Sequence, residues 1–507
     1  MPTYASPRSL PLRSDAPQRL PSRVAVARVA RDRTGVLLFG VLVVAAVGFA
    51  LGLGHSSLFI DEVYSWQASR GSLGGLAQAV QFNEVTPPLY YLILHTWIHV
   101  TGSDSEVMLR LPSVVAGVGL VAALYWLTSL VAGRRAGLIT ATLATASPLV
   151  LLYAQQVRSY IWVMLAVTIA VAAVLQATRD RSARWLVVAA VAAACSVLLH
   201  YTALLVLGPL AVWLWLEPGI DLRWRAGFAA AIAMPLGAVI PLALHQTSQG
   251  HQDLAGAYAS LTMFNALRIA GSPFDGRATG GFMVARELGA VVVVEVLALL
   301  ALADRFRSIQ ARRLIAACAA TPLLVVLLAA AAGQPVALTR YTAVAVPFVL
   351  VAIGAVAVRL QRPLAALLLA ITLLASGIGL AAAARPQGQN PDTRAAITTV
   401  AHNWRPGDTV ASVGLLGFDG ALSYYADKLL EHSARDVHAY VNLDLAGQAP
   451  AIVAAAVDGG RIWLVSDPVL TRAELRKGLE PLGLRPAYVH TYTGNAPVQL
   501  VRADPIR

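Results

Sequence analysis

Residues 59–91 read FIDEVYSWQASRGSLGGLAQAVQFNEVTPPLYY, and the placement of this stretch decides how the rest of the chain is arranged. It follows an apolar run and holds three carboxylates, Asp61, Glu62 and Glu84, in a sequence whose charged content is only 13%. Carboxylates beside a bilayer are costly to keep ionised unless they face water or a partner, so all three are functional candidates.

The surrounding composition supplies the bilayer. Hydrophobic residues make up 57% of the 507 and the mean hydropathy is +0.64, which excludes an ordinary soluble domain. Apolar runs long enough to cross hydrocarbon as helix recur from Gly35 to Ala384. They predict a mainly α, polytopic membrane protein of about eleven spans, near 35–53, 108–131, 137–153, 159–177, 184–199, 201–217, 225–244, 287–303, 314–332, 342–359 and 364–382. The net charge of +12 does not point to nucleic acid, because much of the Arg lies in short clusters between spans. With the N-terminus inside, Arg134/Arg135, Arg179/Arg181/Arg184, Arg223/Arg225, Arg305/Arg307/Arg312/Arg313 and Arg359/Arg362 all fall on the cytoplasmic side. The Arg- and Pro-rich residues 1–34 then read as a disordered cytoplasmic tail before an uncleaved first helix. Cys195 and Cys318 sit inside apolar runs and read as small core residues.

One segment tests the count. Residues 88–103, PLYYLILHTWIHVTGS, are apolar but short, and a twelfth span there would turn every Arg cluster outward. As a helix the segment puts Tyr91, His95 and His99 on one face and Leu89, Ile93 and Val100 opposite. It therefore reads as an interfacial amphipathic helix within one long external loop, 54–107. The same topology gathers Arg158, His200, His245, His251, Asp253, Arg268 and Arg340 on the outer face. After Ala384 no span remains. Residues 385–392 form a linker, and 392–404, 408–413, 461–465 and 472–478 alternate helix and strand patterns, a small extracytoplasmic α/β domain within 385–507. No GxGxxG or GxxxxGK[ST] phosphate loop is present.

The candidate chemistry has bland and functional readings side by side. Asp61 and Glu62 are adjacent, so they diverge by about 100° on a helix and do not easily serve one atom. One would act as base while the other orients a neighbour, or both are solvated loop acids. Arg158 and Arg340 lie on the side poor in Arg, where each either snorkels to headgroups or holds an anion such as phosphate. His95 and His99 have metal-ligand spacing without a third ligand in register, so they read first as interfacial polar contacts. Tyr64, Trp66, Tyr90 and Tyr91 suit either an interface belt or stacking on a sugar ring.

In combination, FIDEVYSW, EVTPPLYYLILHTWIHVTGSDSEVMLRLPSVVAG, SPLVLLYAQQVRSYIWVMLAV, HYTALLVL and RYTAVAVPFVLV resemble the bacterial GT-C glycosyltransferases of family 39, which include protein O-mannosyltransferases and the lipid A aminoarabinose transferase. The resemblance spans roughly residues 35–385. It implies a GT-C membrane enzyme that passes a mannose- or arabinose-like sugar from a polyprenyl phosphate to a hydroxyl acceptor (protein, lipid or glycan) on the outer face of the cytoplasmic membrane. It further implies Asp61 as general base and Glu62 as its companion. Arg158, Arg340 and Tyr341 would lie on the donor phosphate, and Glu84, Tyr90, Tyr91, Tyr160 and His200 around the substrate. Glu84 is the one position where a divalent metal is conceivable. Thr86 stands where relatives usually carry His, and Gln156 where they often carry Glu, which weakens the case for a metal. Two other readings stay open: a transporter or flippase for lipid-linked saccharides, which would favour internal repeats and midplane polar sites, and a GT-C relative without catalysis.

Overall fold

The computed structural model describes residues 23–248 apart from 83 and 85, then 263–271, 274, 289–293, 296, 309–334, 339–385, 390–414, 418–430, 437–440, 460–467, 469–494 and 497–506. His251, Asp253, the side chain of Arg268, most of the expected span 287–303 and residues 1–22 of the tail lie outside them.

Helix α1 (Arg23–Ala50) begins inside the segment expected to be disordered, because the VAVARVAR run contains no helix breaker. The loop expected at 54–107 folds into three short helices, α2 (Ile60–Arg70), α3 (Leu73–Phe82) and α4 (Leu89–Thr101). Helix α4 is the interfacial candidate. At 13 residues it is too short to span, and Gly102 closes it at φ +62°, a conformation that suits glycine. The first part of its polar face turns inward, with Tyr91 buried and His95 Nδ1 2.9 Å from the Ser69 carbonyl, while His99, Leu92 and Val100 are exposed.

Among the described residues seven helices are long and apolar enough to cross a membrane, or eight when one bent pair counts as a span. That pair corrects the single helix expected over 137–153. Helices α6 (Arg134–Thr145) and α7 (Pro148–Ala154) meet at 65°, because Pro148 has no N–H to continue the ladder and Ser147 caps a new helix through Oγ to the Val150 N–H. The remaining helices are α5 (Glu106–Ala132), α8 (Tyr160–Asp180), α9 (Ala183–Leu199), α10 (Leu204–Leu216), α11 (Leu222–Ser248), α12 (Met263–Ala270), α13 (Ile309–Ala331), α14 (Val346–Ala357) and α15 (Arg362–Ala383). Helix α14 is buried along its whole length. It meets α6 at Gly354, where an added Cβ would lie 2.1 Å from Thr140 Oγ1, so the small residue sets the approach of the two backbones.

After α15, helices α16 (Thr393–Asn403), α17 (Phe418–Leu429) and α18 (Arg472–Leu479) accompany a five-stranded mixed sheet. Strands β1 (Thr409–Gly414), β2 (Val437–Tyr440), β3 (Ile462–Asp467), β4 (Leu484–Tyr492) and β5 (Val498–Pro505) pair in the order β2-β1-β3-β5-β4. The contacts of β1 are parallel and those of β5 antiparallel. This unit rests on the loop helices. Tyr425 Oη accepts from the Leu58 N–H at 2.7 Å, Arg394 pairs with Glu106 at 2.6 Å, and Trp66 packs edge-on to Tyr424.

Candidate active site

The site is built on the first turn of α2. Asp61 and Glu62 lie where helix dipole and free N–H groups favour negative charge. The two acids then part company.

Glu62 turns into the protein and is 1% exposed. Arg110 grips it from α5, Nε to Oε1 at 2.9 Å and Nη2 to Oε2 at 3.0 Å. The Phe59 N–H donates to Oε2 at 2.8 Å, the Val157 N–H to Oε1 at 3.1 Å, and Asn390 Nδ2 to Oε2 at 3.3 Å. One carboxylate thus ties the start of α2 to α5, to the 155–159 turn and to the segment after α15.

Asp61 faces the other way. Its Oδ2 lies 3.2 Å from Arg340 Nη1, with side chains 26% and 39% exposed, so this pair can be reached from outside. Arg340 comes from the helical turn Thr339–Thr342 that leads into α14.

Behind Asp61, buried Arg158 directs Nη1 to the Asp61 carbonyl at 3.2 Å, to Ser65 Oγ at 3.1 Å and to Glu84 Oε2 at 3.2 Å. Tyr91 donates to Glu84 Oε2 at 2.6 Å and shares a 2.5 Å hydrogen bond with Thr86 Oγ1. Burial pushes the Glu84 carboxyl above the usual carboxylate range, against the pull of Arg158 and Tyr91. Tyr160 stacks between Tyr153 and His200, with ring centroids 4.8 and 5.3 Å away. Burial, reinforced by Arg158 and Arg340, pushes the His200 imidazole down to about 3, so it is neutral at ordinary pH. Its Nδ1 accepts from the Thr202 N–H at 3.2 Å, which leaves the proton on Nε2. Tyr90 packs edge-on to Tyr91 in the core, and Tyr341 is half-buried next to Arg340.

The structure therefore brings Asp61, Arg340, Arg158, Glu84, Tyr91, Tyr160 and His200 to one end of the helical bundle. It separates Glu62 and Tyr90 from the accessible pair. Arg110 and Asn390 are the members missed by sequence reasoning. For Arg110 a signal existed: a cation inside the apolar run of α5 needs an anion. Asn390, read as linker, offered none.

Among the described residues, those around Glu84 do not suit a divalent ion. Among the described residues no group of three or more His, Cys, Asp or Glu could hold one. Glu84 offers one oxygen, Oε1, that lacks a hydrogen-bond partner, but Arg158 occupies its other oxygen. Glu84→Gln keeps the shape of the side chain and removes its charge and its capacity to ligate a cation. It should keep turnover within about tenfold of the parent, the equivalent of one hydrogen bond, and a chelator should leave both proteins unaffected. A loss far beyond that together with chelator sensitivity would return Glu84 to metal binding.

Residues 85–245, about a third of the chain, match the family model for dolichyl-phosphate-mannose-protein mannosyltransferase. No curated protein sequence matches the chain. Among solved structures, ArnT from Cupriavidus metallidurans bound to undecaprenyl phosphate superposes with a TM-score of 0.57 at 14% identity, over 93% of this chain and 98% of that one. The same protein in the apo state gives 0.56 over the same shares. The arabinofuranosyltransferase AftD from Mycobacteria gives 0.51 at 14% identity, over 94% of this chain and 40% of that one. The chain has the fold of the ArnT structures, the GT-C fold, and its residues 85–245 match the family model for dolichyl-phosphate-mannose-protein mannosyltransferase.

Proposed function

We propose that the chain is a multi-pass glycosyltransferase of the cytoplasmic membrane, with about eleven spans, its N-terminus inside, and the site and the 385–507 α/β domain outside. It transfers a mannose- or arabinose-like sugar from a polyprenyl phosphate to a hydroxyl acceptor. The observation that carries this reading is the accessible Asp61–Arg340 pair, a carboxylate and a guanidinium 3.2 Å apart at the rim of the bundle. Displacement at an anomeric carbon needs those two groups: one to accept the proton of the attacking hydroxyl, one to neutralise the phosphate that leaves.

In the resting state the pair satisfies itself. An incoming donor phosphate draws Arg340 away by offering a second anion with bidentate geometry, and Asp61 is left with free lone pairs. The acceptor O–H then gives its proton to Asp61. Its oxygen bonds to the sugar C1, the bond from C1 to the phosphate oxygen breaks, and the polyprenyl phosphate departs with the bonding pair, held by Arg340. Tyr341 stands beside Arg340 on the phosphate side. Neutral His200, with Nε2–H free to donate, and Tyr160 flank the donor without adding charge. Arg158 acts from behind, fixing the Asp61 carbonyl, and Glu84 with Tyr90 and Tyr91 shapes that wall. Glu62 serves Asp61 by holding the first turn of α2.

The test is the affinity for polyprenyl phosphate. Arg340→Ala should weaken it about 10–100-fold, the cost of losing one charged hydrogen-bond partner, with little effect on folding because the side chain is partly exposed. Unchanged affinity would refute the phosphate role of Arg340.

A further inference from the structure

A cavity lies on the other side of Glu62 from Asp61. It holds about 400 Å³, and neither Asp61, Arg158 nor Arg340 lines it. Its walls are apolar: Gly48 and Leu51 at the end of α1, Leu151 and Leu152 of α7, and Leu380 and Ala383 at the end of α15. Helices α1 and α15 are among the least enclosed of the candidate spans, so the cavity sits where hydrocarbon tails would lie. Its polar end is formed by Glu62, Arg110 and Asn390, with His55, Ser56, Gln155 and Gln156 alongside.

The polar end has a definite hydrogen-bonding demand. Arg110 has five N–H donors, and all are engaged: Nε on Glu62, Nη1 on the Leu53 and Ser56 carbonyls, Nη2 on the Ser57 carbonyl and Glu62. Its charge is cancelled by Glu62, so Arg110 has no donor or net charge left for a phosphate. Asn390 is 5% exposed, and its Nδ2 donates to the Ser57 carbonyl at 2.7 Å and to Glu62. Its Oδ1 is buried without a partner. A buried acceptor left unpaired is costly, so a ligand that brings a donor gains about tenfold or more in affinity. An apolar wall, a neutral polar end and one orphan acceptor describe the complement of an uncharged lipid with a hydroxylated head.

We infer that this cavity binds a neutral polyol-headed lipid, sugar- or glycerol-headed, with a head-group hydroxyl donating to Asn390 Oδ1 and the acyl chain between α1 and α15. Because Asn390 also bonds Glu62, the occupant braces the first turn of α2 without touching the reacting atoms. The inference rests on the membrane orientation proposed above, but not on the role of Arg340.

The probe is a diazirine-bearing alkyl glucoside added to the full chain in phosphatidylcholine nanodiscs, with labelled peptides mapped by mass spectrometry. Label should concentrate in residues 148–156 and 380–384. It should compete with unlabelled diacylglycerol glucoside and not with undecaprenyl phosphate. Gly48→Phe fills the cavity from a position whose Cβ would meet no atom within 4 Å. It should fold and lower that labelling about tenfold or more, the scale of one lost hydrogen bond and its apolar contacts. Asn390→Leu should lower it as well, and Arg340→Ala should leave it unchanged. Label spread evenly over the lipid-facing helices, or equal label in Gly48→Phe, would overturn the site. Competition by undecaprenyl phosphate would overturn the neutral-lipid assignment and make the cavity part of the donor path.

Discussion

Asp61→Asn is expected to lower sugar transfer by about 10²–10⁴-fold, the usual worth of a positioned general base. The substitution preserves size and shape and removes the negative charge together with the capacity to accept a proton. The Asp61–Arg340 pair is partly exposed, so its loss should change stability by less than about 1 kcal/mol. The expected signature is therefore a folded chain with intact thermal unfolding, unimpaired donor binding and a collapsed turnover. Donor affinity should even rise slightly, since Arg340 no longer has to leave a carboxylate. Turnover assayed in proteoliposomes with a polyprenyl-phosphate sugar, beside binding of polyprenyl phosphate alone, separates these effects. Near-normal turnover would remove Asp61 from the chemistry. Glu62 does not replace it in this role, because both its oxygens already accept from neighbouring N–H groups.

What the sequence made legible follows the range of each signal. Span length and the amphipathic face of 89–101 are local patterns, and among the described residues helices lie close to most of the apolar runs, although only seven, or eight with the bent pair, are long and apolar enough to cross a membrane. The C-terminal elements are local too: helix and strand were expected at 392–404, 408–413, 461–465 and 472–478, and α16, β1, β3 and α18 occupy them within a residue or two. The bend at Ser147–Pro148 was readable from Pro148, yet the apolar run around it conceals the break, since hydropathy has no term for a missing N–H. The site was half legible. That Asp61 and Arg340 share a face follows from topology alone. That Glu62 belongs to Arg110 and Asn390 does not, because those partners are 48 and 328 residues away and only the folded bundle brings them together. Adjacent acids in sequence thus became one accessible group and one fastener, a division that the 100° between helical neighbours permits but does not assign.

That division sets the other large effect. Glu62→Ala and Arg110→Ala should each destabilise the chain by about 3–5 kcal/mol, since removing one member leaves the other as an uncompensated buried charge. Both should appear as loss of the folded protein from membranes and a lowered thermal midpoint, before any kinetic measurement. The Arg110→Ala loss compounds the damage, because the carbonyls of Leu53, Ser56 and Ser57 lose a donor together. Glu62→Gln should be milder, as an amide still accepts from Arg110 and from the Val157 N–H. Glu62→Gln combined with Arg110→Met removes both charges at nearly constant volume, and it should recover a large part of the stability lost by either single change. In that double variant Asp61 keeps its side chain and its Arg340 partner. If Glu62 only holds α2 in place, turnover per folded molecule should return with stability. A double variant that folds well and remains inactive would instead put Glu62 in the chemistry, and a Glu62→Ala chain of parental stability would show that the buried pair is not what fixes the loop to the bundle.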